Sequence, residues 1–413
     1  MNPTHVHRHD ASAVIDSPYA WVRLAISLVL ATVGGVGGWA VIVVLPAVQA
    51  EFGVDRAAAS LPFTATMLGF GAGNVLVGYA IDRWGYWRPA LAASIALAAG
   101  FGLAAVSTSI LMFSVAHSLL IGFGCAAIFG PLIADVSHWF QKRRGLAVSI
   151  AAGGNYIAGA VWPLVIPYLM DGSDWRFAYA VIGGICLVTM APLVLLLRRS
   201  APLHLATSGT GAKGVLPIQL SPAALQTLLV IAGLACCCAM SMPQVHLVAY
   251  CMDLGYGIAR GSEMLSVMLV GGVVSRLASG LLADRIGGIR TVLIGSVAQM
   301  LSLVFYLPFD GLAALYVVSL MFGLSQGGIV PAYAMIVREY MPPAEAGRRV
   351  GIVMMSTTFG MALGGWMSGW IYDLTGSYAA AFMNGIAWNL LNLFVMTIIF
   401  WKASGQAARS RTA

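Results

Sequence analysis

Long apolar stretches separated by short polar turns run through almost the whole chain. Twelve of them approach or exceed the ~20 residues that an α-helix needs to cross a bilayer at ~1.5 Å per residue. We therefore predict an all-α membrane protein with twelve transmembrane helices. The predicted spans cover residues 22–46, 58–81, 89–107, 110–136, 145–170, 176–197, 221–251, 262–283, 290–308, 312–337, 348–372 and 378–401.

The composition of the chain excludes several classes of protein. The 413 residues are 60% hydrophobic and 9% charged, whereas a soluble domain is about 45–50% apolar and about 25% charged. A soluble enzyme, a disordered chain and a nucleic-acid binder are therefore excluded. Six cysteines in a chain of this length do not form a disulfide scaffold. We expect no enzymatic activity, no cofactor and no metal site, because no nucleophile–base pair or metal-ligand cluster lies at a common depth.

The basic residues lie mostly on one side of the predicted membrane. Of 22 lysines and arginines, 18 fall on the side of both termini, three (Arg56, Arg176 and Arg260) on the opposite side, and Arg276 within a span. Positively charged loops face the cytoplasm, so we expect both termini there. The net charge of +7 then reflects topology and not a nucleic-acid partner. We expect the chain in the cytoplasmic (inner) membrane of a bacterium.

A short motif occurs twice, about half a chain apart. Gly78–Gly85 follows the second span, and Gly280–Gly287 follows the eighth span 202 residues later. Gly130-Pro131 and Val330-Pro331 form a second pair at nearly the same offset. Six spans separate the copies, so both halves have the same orientation, as in transporters built from parallel repeats. The predicted regions are a cytoplasmic tail (1–21), a six-helix bundle (22–197), a cytoplasmic linker (198–220), a second six-helix bundle (221–402) and a cytoplasmic tail (403–413).

Each motif copy places an acid and two arginines in a tight turn between two helices. Asp82 lies at a helix C-terminus, where its charge opposes the helix dipole, so it needs a cationic partner or a neighbouring helix N-terminus. We expect Gly85 to adopt a left-handed backbone. The alternatives are a solvated turn and a gating latch, and two equivalent copies favour the latch. The predicted latch residues are Asp82, Arg83, Arg88, Asp284, Arg285 and Arg290.

Across residues 20–402 the chain resembles the major facilitator superfamily, since Gly78–Arg88 and Gly280–Arg290 are similar to that superfamily's signature loop. Gly34–Val41, Trp139–Ala147 and Val274–Leu277 further resemble the monocarboxylate porter group, which is related to the oxalate–formate antiporter. The resemblance implies two six-helix bundles that rock around a central substrate site, in a protein that acts as a monomer. It also implies a substrate-binding role for the arginine at position 276.

The sequence departs from this group at three places. Proton-coupled relatives often carry an aspartate four residues before the substrate-binding arginine, where this chain has Gly272. Relatives also often carry a lysine in span one, or in span eleven for a dianion, and this chain has neither. Thr357 lies near the span-eleven position. These differences favour a monoanionic substrate and a proton carrier other than the usual aspartate.

Arg276 is the charged residue that the sequence places deepest in the membrane. It lies roughly 12 Å from the cytoplasmic end of its helix, where an arginine costs about 2.5–3.5 kcal/mol on insertion scales. By the predicted spans, all 15 acids lie at helix ends or in loops. Its helical neighbours form a face of small residues that leaves room for a ligand: Gly272, Ser279, Gly280 and Ala283. We expect a substrate carboxylate to neutralise the guanidinium through two parallel hydrogen bonds. The alternative is a structural arginine that binds backbone carbonyls.

Several polar and aromatic residues are further candidates for the substrate pathway. Trp39 follows four glycines in span one, which permit close helix approach or hinge motion. For these side chains, helix packing is the alternative to substrate binding. Histidine as a residue type titrates near neutral pH, so His246 is the candidate proton carrier, with an external gate or packing residue as the alternative. The remaining substrate candidates are Asn155, Tyr156, Tyr333 and Thr357.

The sequence therefore predicts a secondary transporter of a small organic monocarboxylate in the lactate or pyruvate class. Its partners would be this carboxylate, a proton or counter-anion, and the lipid bilayer, with no nucleic acid. Coupling by proton symport and by anion exchange both remain open. One alternative is a transporter of a larger amphipathic organic acid or drug. Another is an anion receptor that does not transport, which the short predicted tails disfavour.

Overall fold

A computed structural model describes residues 15–199, 216–342 and 345–412, and every regular element in these ranges is a helix. Within these ranges, twelve helices are long and apolar enough to cross a membrane, which confirms the predicted number. They are α1 (Pro18–Phe52), α2 (Arg56–Trp84), α3 (Trp87–Ala105), α4 (Ile110–Ser137), α5 (Arg144–Met170), α6 (Trp175–Leu196), α7 (Pro222–Asp253), α8 (Gly257–Ile286), α9 (Gly288–Phe305), α10 (Leu312–Tyr340), α11 (Ala346–Thr375) and α12 (Tyr378–Thr412).

The predicted tails and linker lie partly outside the described residues. Residues 1–14 and 200–215 belong to the predicted N-terminal tail and linker and are among those not described. At the other end, α12 continues to Thr412, so the described part of the predicted tail over 403–413 is helical.

Helices α4 and α10 are interrupted near the predicted middle of the membrane. In α4, a π-helical segment at His117–Gly122 is followed by a break between Ala126 and Gly130. Pro131 has no N–H group, so it cannot donate the helical hydrogen bond to the carbonyl oxygen of Ala127, four residues earlier. The Tyr86 hydroxyl lies 3.4 Å from that carbonyl oxygen. Burial raises the pKa of Tyr86 well above its ordinary value, so the phenol remains protonated and able to donate.

In α10 the interruption lies at Gly327–Gly328, between the segments Leu312–Gln326 and Ile329–Tyr340. Pro331 follows four residues after Gly327, as Pro131 follows Ala127. A proline therefore accounts for the interruption in both helices. Pro131 and Pro331 are 200 residues apart, close to the 202 residues that separate the two motifs.

The two Asp-Arg turns share a glycine with positive φ and one backbone hydrogen bond. Gly85 has φ +72° and Gly287 has φ +84°, in the left-handed region that glycine enters without steric cost. Each glycine donates its N–H to the carbonyl four residues earlier, Ile81 in the first copy at 2.8 Å and Ala283 in the second at 2.9 Å. The left-handed conformation predicted for Gly85 is confirmed.

The chain forms two compact units, the first from Met1–Val41 and Leu68–Gly211, the second from Ile42–Met67 and Ala212–Ala413. Residues 42–67, which the sequence assigned to the first bundle, thus belong by their contacts to the second unit. The cause is close helix packing within that unit. A Cβ atom on Gly365 of α11 would lie 2.8 Å from the Phe63 ring, and one on Gly369 would lie 2.8 Å from the Arg56 carbonyl oxygen.

Candidate functional site: residues for substrate and proton

Arg276 lies on α8 where the interruption of α10 packs against it. A Cβ atom on Gly327 would lie 2.2 Å from the Gly272 carbonyl oxygen and 2.9 Å from the Arg276 backbone nitrogen. The α10 backbone therefore contacts α8 directly at the helical turn that carries the arginine. The Arg276 side chain is half-buried.

The small residues next to Arg276 serve this packing. A Cβ atom on Gly328 would lie 2.0 Å from the Ser279 Cβ, so α10 covers Ser279 as well as Gly272. Of the four small residues expected to leave room for a ligand, Gly272 and Ser279 thus lie against α10. Gly280, one residue further, has no neighbour within 4 Å of a Cβ position.

Trp39 and Asn155 are brought together in the first unit. The Trp39 indole N–H donates to the Asn155 carbonyl oxygen at 3.2 Å. Close packing of α1 on α5 permits this bond, because a Cβ atom on Gly35 would lie 2.6 Å from the Ala158 Cβ. The close helix approach predicted from the glycines is confirmed. The Asn155 side chain and the adjacent Tyr156 are half-buried on α5.

Thr357 and Tyr333 have hydrogen-bond partners within the second unit. The Thr357 hydroxyl donates to the Met354 carbonyl at 2.7 Å. The fully buried Tyr333 hydroxyl lies 2.7 Å from the Asn392 side-chain oxygen and 3.2 Å from the Ala232 carbonyl. Because these contacts use its hydroxyl inside the helix packing, we do not retain Tyr333 in the proposed substrate site.

A cavity of about 700 Å³ opens in the first unit beside the Asp82 turn. Charged side chains of both signs line it: Asp82, Asp135, Arg23, Arg198 and Arg199.

Asn74 also lines this cavity, and the sequence analysis missed it. Asn74 precedes Arg276 by the same 202 residues that separate the two motifs. Its side-chain oxygen lies 2.9 Å from a Cβ position on Gly130, beside the interruption of α4. Applying the repeat offset to Arg276 would have identified Asn74 as its counterpart in the first half.

The six predicted latch residues are exposed, and none forms an ion pair among residues 15–199, 216–342 and 345–412. Three of the arginines instead lie over aromatic rings. Arg83 is 5.8 Å from the Trp84 ring centre, and Arg88 is 5.3 Å from that of Trp87. Arg290 is 5.9 Å from the Phe400 ring centre.

His246 is fully buried in α7, with both ring nitrogens hydrogen-bonded. Nε2 lies 2.8 Å from the Gly365 carbonyl oxygen and Nδ1 lies 3.2 Å from the Tyr378 hydroxyl. A carbonyl only accepts, so Nε2 carries the proton in neutral His246 and Nδ1 accepts from Tyr378. This tautomer is assigned from its partners.

Arg56 joins this histidine to two acids. Its Nη1 donates to the Tyr378 hydroxyl at 2.7 Å, and its Nη2 donates to both Asp253 oxygens at 3.1 and 3.3 Å. The Asp373 carboxylate accepts the backbone N–H groups of Arg56 and Ala57 at 2.9 and 2.7 Å. We call Arg56, Asp253, Asp373, Tyr378 and His246 the distal network, because it lies at the helix ends opposite the Asp-Arg turns.

The sequence analysis counted Arg56 only as a residue that sets orientation. A basic side chain at the first residue of a spanning helix, on a side with only three basic residues, was the signal for a more specific role.

Comparison with known proteins identifies the fold. Two solved transporters resemble the chain, one of them a bacterial homologue of the human lysosomal transporter Spinster in an inward-facing, occupied conformation. It shares 12% identity with a TM-score of 0.71, over 96% of this chain and 98% of that one. The nucleoside transporter NupG shares 14% identity with a TM-score of 0.73, over 92% of this chain and 100% of that one. At these identities the likeness concerns the fold alone.

Relatives of similar sequence include several named transporters. Monocarboxylate transporter 13 of Bos taurus is 28% identical over 302 residues, 72% of this chain and 70% of the relative. Monocarboxylate transporter 11 of Homo sapiens is 28% identical over 326 residues, which cover 74% of this chain and 67% of the relative. Agnestins efflux protein AgnL12 of Paecilomyces divaricatus is 22% identical over 323 residues, 77% and 72%.

The profile of the Major Facilitator Superfamily matches residues 27–313 and 264–413. These ranges include both Asp-Arg turns, both interrupted helices and Arg276. The chain is therefore a member of the Major Facilitator Superfamily, with a sequence like that of its monocarboxylate transporters.

Proposed function

We propose that this protein is a secondary transporter of a small organic monocarboxylate of the lactate or pyruvate class. The carboxylate binds Arg276 and crosses the membrane by alternating access of the site to the two sides. Both termini lie in the cytoplasm, as the 18-to-3 distribution of basic residues favours. Transport couples to proton symport or anion exchange, and the protein acts as a monomer.

The position of Arg276 carries this proposal. The arginine lies on α8 beside Gly327, at the interruption of α10, and interrupted helices near the membrane midplane frequently border substrate sites in transporters. A charged group inside a spanning helix is costly and marks a functional pathway by default. A guanidinium recognises a carboxylate through two parallel hydrogen bonds. The relatives named monocarboxylate transporters support the same substrate class.

The experiment is uptake by the purified protein in liposomes. Radiolabelled lactate, pyruvate, acetate, oxalate and dodecanoate would each be tested, alone and as competitors of one another. We expect saturable uptake of lactate or pyruvate. Arg276→Lys would reduce it by about tenfold or more, because an ammonium does not reproduce the planar fork. Arg260→Lys is the matched control, on the same helix but exposed, and should leave uptake unchanged. Uptake of no carboxylate by the wild-type protein would refute the proposal.

A larger amphipathic organic acid is the second candidate substrate. This candidate is kept because one relative, Agnestins efflux protein AgnL12, is named for efflux and not for monocarboxylate transport. Saturable movement of dodecanoate, with no uptake of lactate or pyruvate, would select this second function.

A further inference from the structure

The distal network forms a chain of hydrogen bonds from the protein surface to a buried imidazole. The exposed fraction falls along it, from 32% for the Asp253 side chain to 8% for the Arg56 side chain, 3% for Tyr378 and 0% for His246. Arg56 donates to Tyr378, Tyr378 donates to Nδ1 of His246, and Nε2 of His246 donates to the Gly365 carbonyl. Every donor in this chain points towards the interior of the second unit.

Three helices of the second unit are fastened to the start of α2 by this network. Arg56 binds Asp253 at the end of α7 and Tyr378 at the start of α12. Asp373 near the end of α11 accepts the first N–H groups of α2, which have no partner inside the helix. The Arg56 side chain therefore ties the start of α2 to α7 and α12, and the backbone at Arg56 and Ala57 ties it to α11.

The direction of donation along these hydrogen bonds depends on His246 being neutral. A proton added to Nδ1 turns this nitrogen from an acceptor into a donor. The Tyr378 oxygen would then face two donors, Arg56 Nη1 and His246 Nδ1, and its own hydroxyl hydrogen would lose its acceptor. The two nitrogens are less than about 6 Å apart, since each bonds the same oxygen, and at this distance like charges repel appreciably in a protein interior.

The other charged and titratable groups around His246 do not remove this repulsion. Arg56 already engages both oxygens of Asp253. The N-terminus of α2 engages Asp373. Tyr250 and Tyr372 pack edge-on or tilted against the Tyr378 ring and carry no charge. The added positive charge therefore acts on Arg56, the cation that binds the start of α2 to Asp253 and Tyr378.

We propose that Arg56, Asp253 and Tyr378 couple proton uptake by His246 to the separation of residues 42–67 from α7, α11 and α12. Protonation of His246 weakens the Arg56–Tyr378 bond and lets residues 42–67 move away from α7, α11 and α12. Loss of the proton restores the hydrogen bonds from Arg56 through Tyr378 to His246 and brings these segments together again. The inference rests on the proposed transport function by giving it proton symport as its coupling, with His246 as carrier and Arg56 as the residue that responds.

The first test measures the opening itself and needs no substrate. Nitroxide labels would be attached at Ala50→Cys on α1 and Ala259→Cys on α8, both exposed positions of the second unit. The six native cysteines are buried. A control sample that lacks the two introduced cysteines measures any labelling of the native ones. Distances between the two labels would be measured by pulsed electron paramagnetic resonance, with the protein in lipid nanodiscs, from pH 8 to pH 5.

We expect a second, longer distance whose population relative to the first rises about five- to tenfold on acidification, within the usual range of coupling between sites. His246→Gln should abolish this response. Tyr378→Phe, which keeps the ring, should give the longer distance already at pH 8. The matched control is His117→Gln, because His117 is equally buried and bonds the Tyr179 hydroxyl at 3.1 Å in the first unit. It should respond to pH as the wild type does.

A distance that does not change with pH in the wild type, or changes equally in His246→Gln, would overturn the proposal. The second test uses liposomes with lactate and an inward proton gradient. His246→Gln should lose accumulation of lactate against its gradient but retain lactate–lactate exchange. If the distances respond to pH and no carboxylate is taken up, the substrate assignment fails and the coupling network stands. If uptake depends on Arg276 and the distances ignore pH, the network proposal fails alone.

Discussion

Arg23 and Asp135 form a buried, two-point ion pair in the first unit. Arg23 Nε lies 2.9 Å from Asp135 Oδ2 and Nη2 lies 3.0 Å from Oδ1, with side chains that are 1% and 9% exposed. The remaining nitrogen, Nη1, donates to the carbonyls of Leu197 and Arg199, each at 3.2 Å. The guanidinium also lies 4.5 Å from the Trp139 ring centre. One side chain thus joins the start of α1 to the ends of α4 and α6.

We expect single substitutions in this pair to destabilise the protein far more than a double substitution. Asp135→Leu leaves a buried, uncompensated guanidinium and should lower the free energy of unfolding by about 3–5 kcal/mol. Arg23→Met should cost a similar amount, because it leaves the carboxylate without its partner. The double variant should recover most of the loss, since buried pairs replaced by apolar residues are often near neutral. Thermal unfolding in detergent of the four proteins gives the coupling energy.

The exposed pair Arg260–Glu263 is the control for this cycle. Its side chains are 55% and 39% exposed, and exposed pairs contribute about 0–1 kcal/mol. Equal effects of the two cycles would mean that the Arg23–Asp135 pair contributes no more than a surface pair, which would contradict its structural role.

Gly327 is expected to tolerate no side chain, in contrast to Gly280. The Cβ of Gly327→Ala would lie 2.2 Å from the Gly272 carbonyl oxygen, a backbone atom that cannot move alone. We expect a loss of about 1–3 kcal/mol of stability from overpacking and a displacement of the α8 turn that carries Arg276. Gly280→Ala has no neighbour within 4 Å and should be neutral or stabilising by up to ~1 kcal/mol through helix propensity. Melting temperatures of the two variants provide the comparison, and equal shifts would show that α10 does not pack closely on α8.

Features that depend on local sequence were predictable in this protein. Each spanning helix needs only its own apolar length, so twelve apolar stretches gave the right number. The Gly85 turn followed from the steric freedom of one residue. The repeat offset carried information that the prediction did not use, because it relates Arg276 to Asn74 directly. Fold and repeat were therefore predictable from the amino-acid sequence alone.

Contacts between distant residues were not predictable in the same way. Arg56 and Tyr378 are 322 positions apart, and no periodicity indicates that their side chains meet. Residue type alone also left Tyr333 ambiguous, since a tyrosine suits a substrate pathway and a buried hydrogen bond equally well. Its bond to Asn392 depends on the packing of α10 against α12, which only the folded chain specifies.

Asp82 provides a test of the predicted latch. Its side chain is exposed, lines the first-unit cavity and has no ion-pair partner within the described ranges. A residue that acts only when the helix ends meet in another state should affect the rate of the conformational step more than binding. We therefore expect Asp82→Asn to lower the maximal rate of lactate uptake about tenfold while the half-saturating concentration changes less than about twofold. Initial rates over a range of lactate concentrations separate the two effects. Asp171→Asn, an exposed acid beyond the end of α5, should change neither. An unchanged maximal rate in Asp82→Asn would leave a solvated turn as the better description, because a carboxylate needed to close the helix ends cannot lose its charge without slowing their closure.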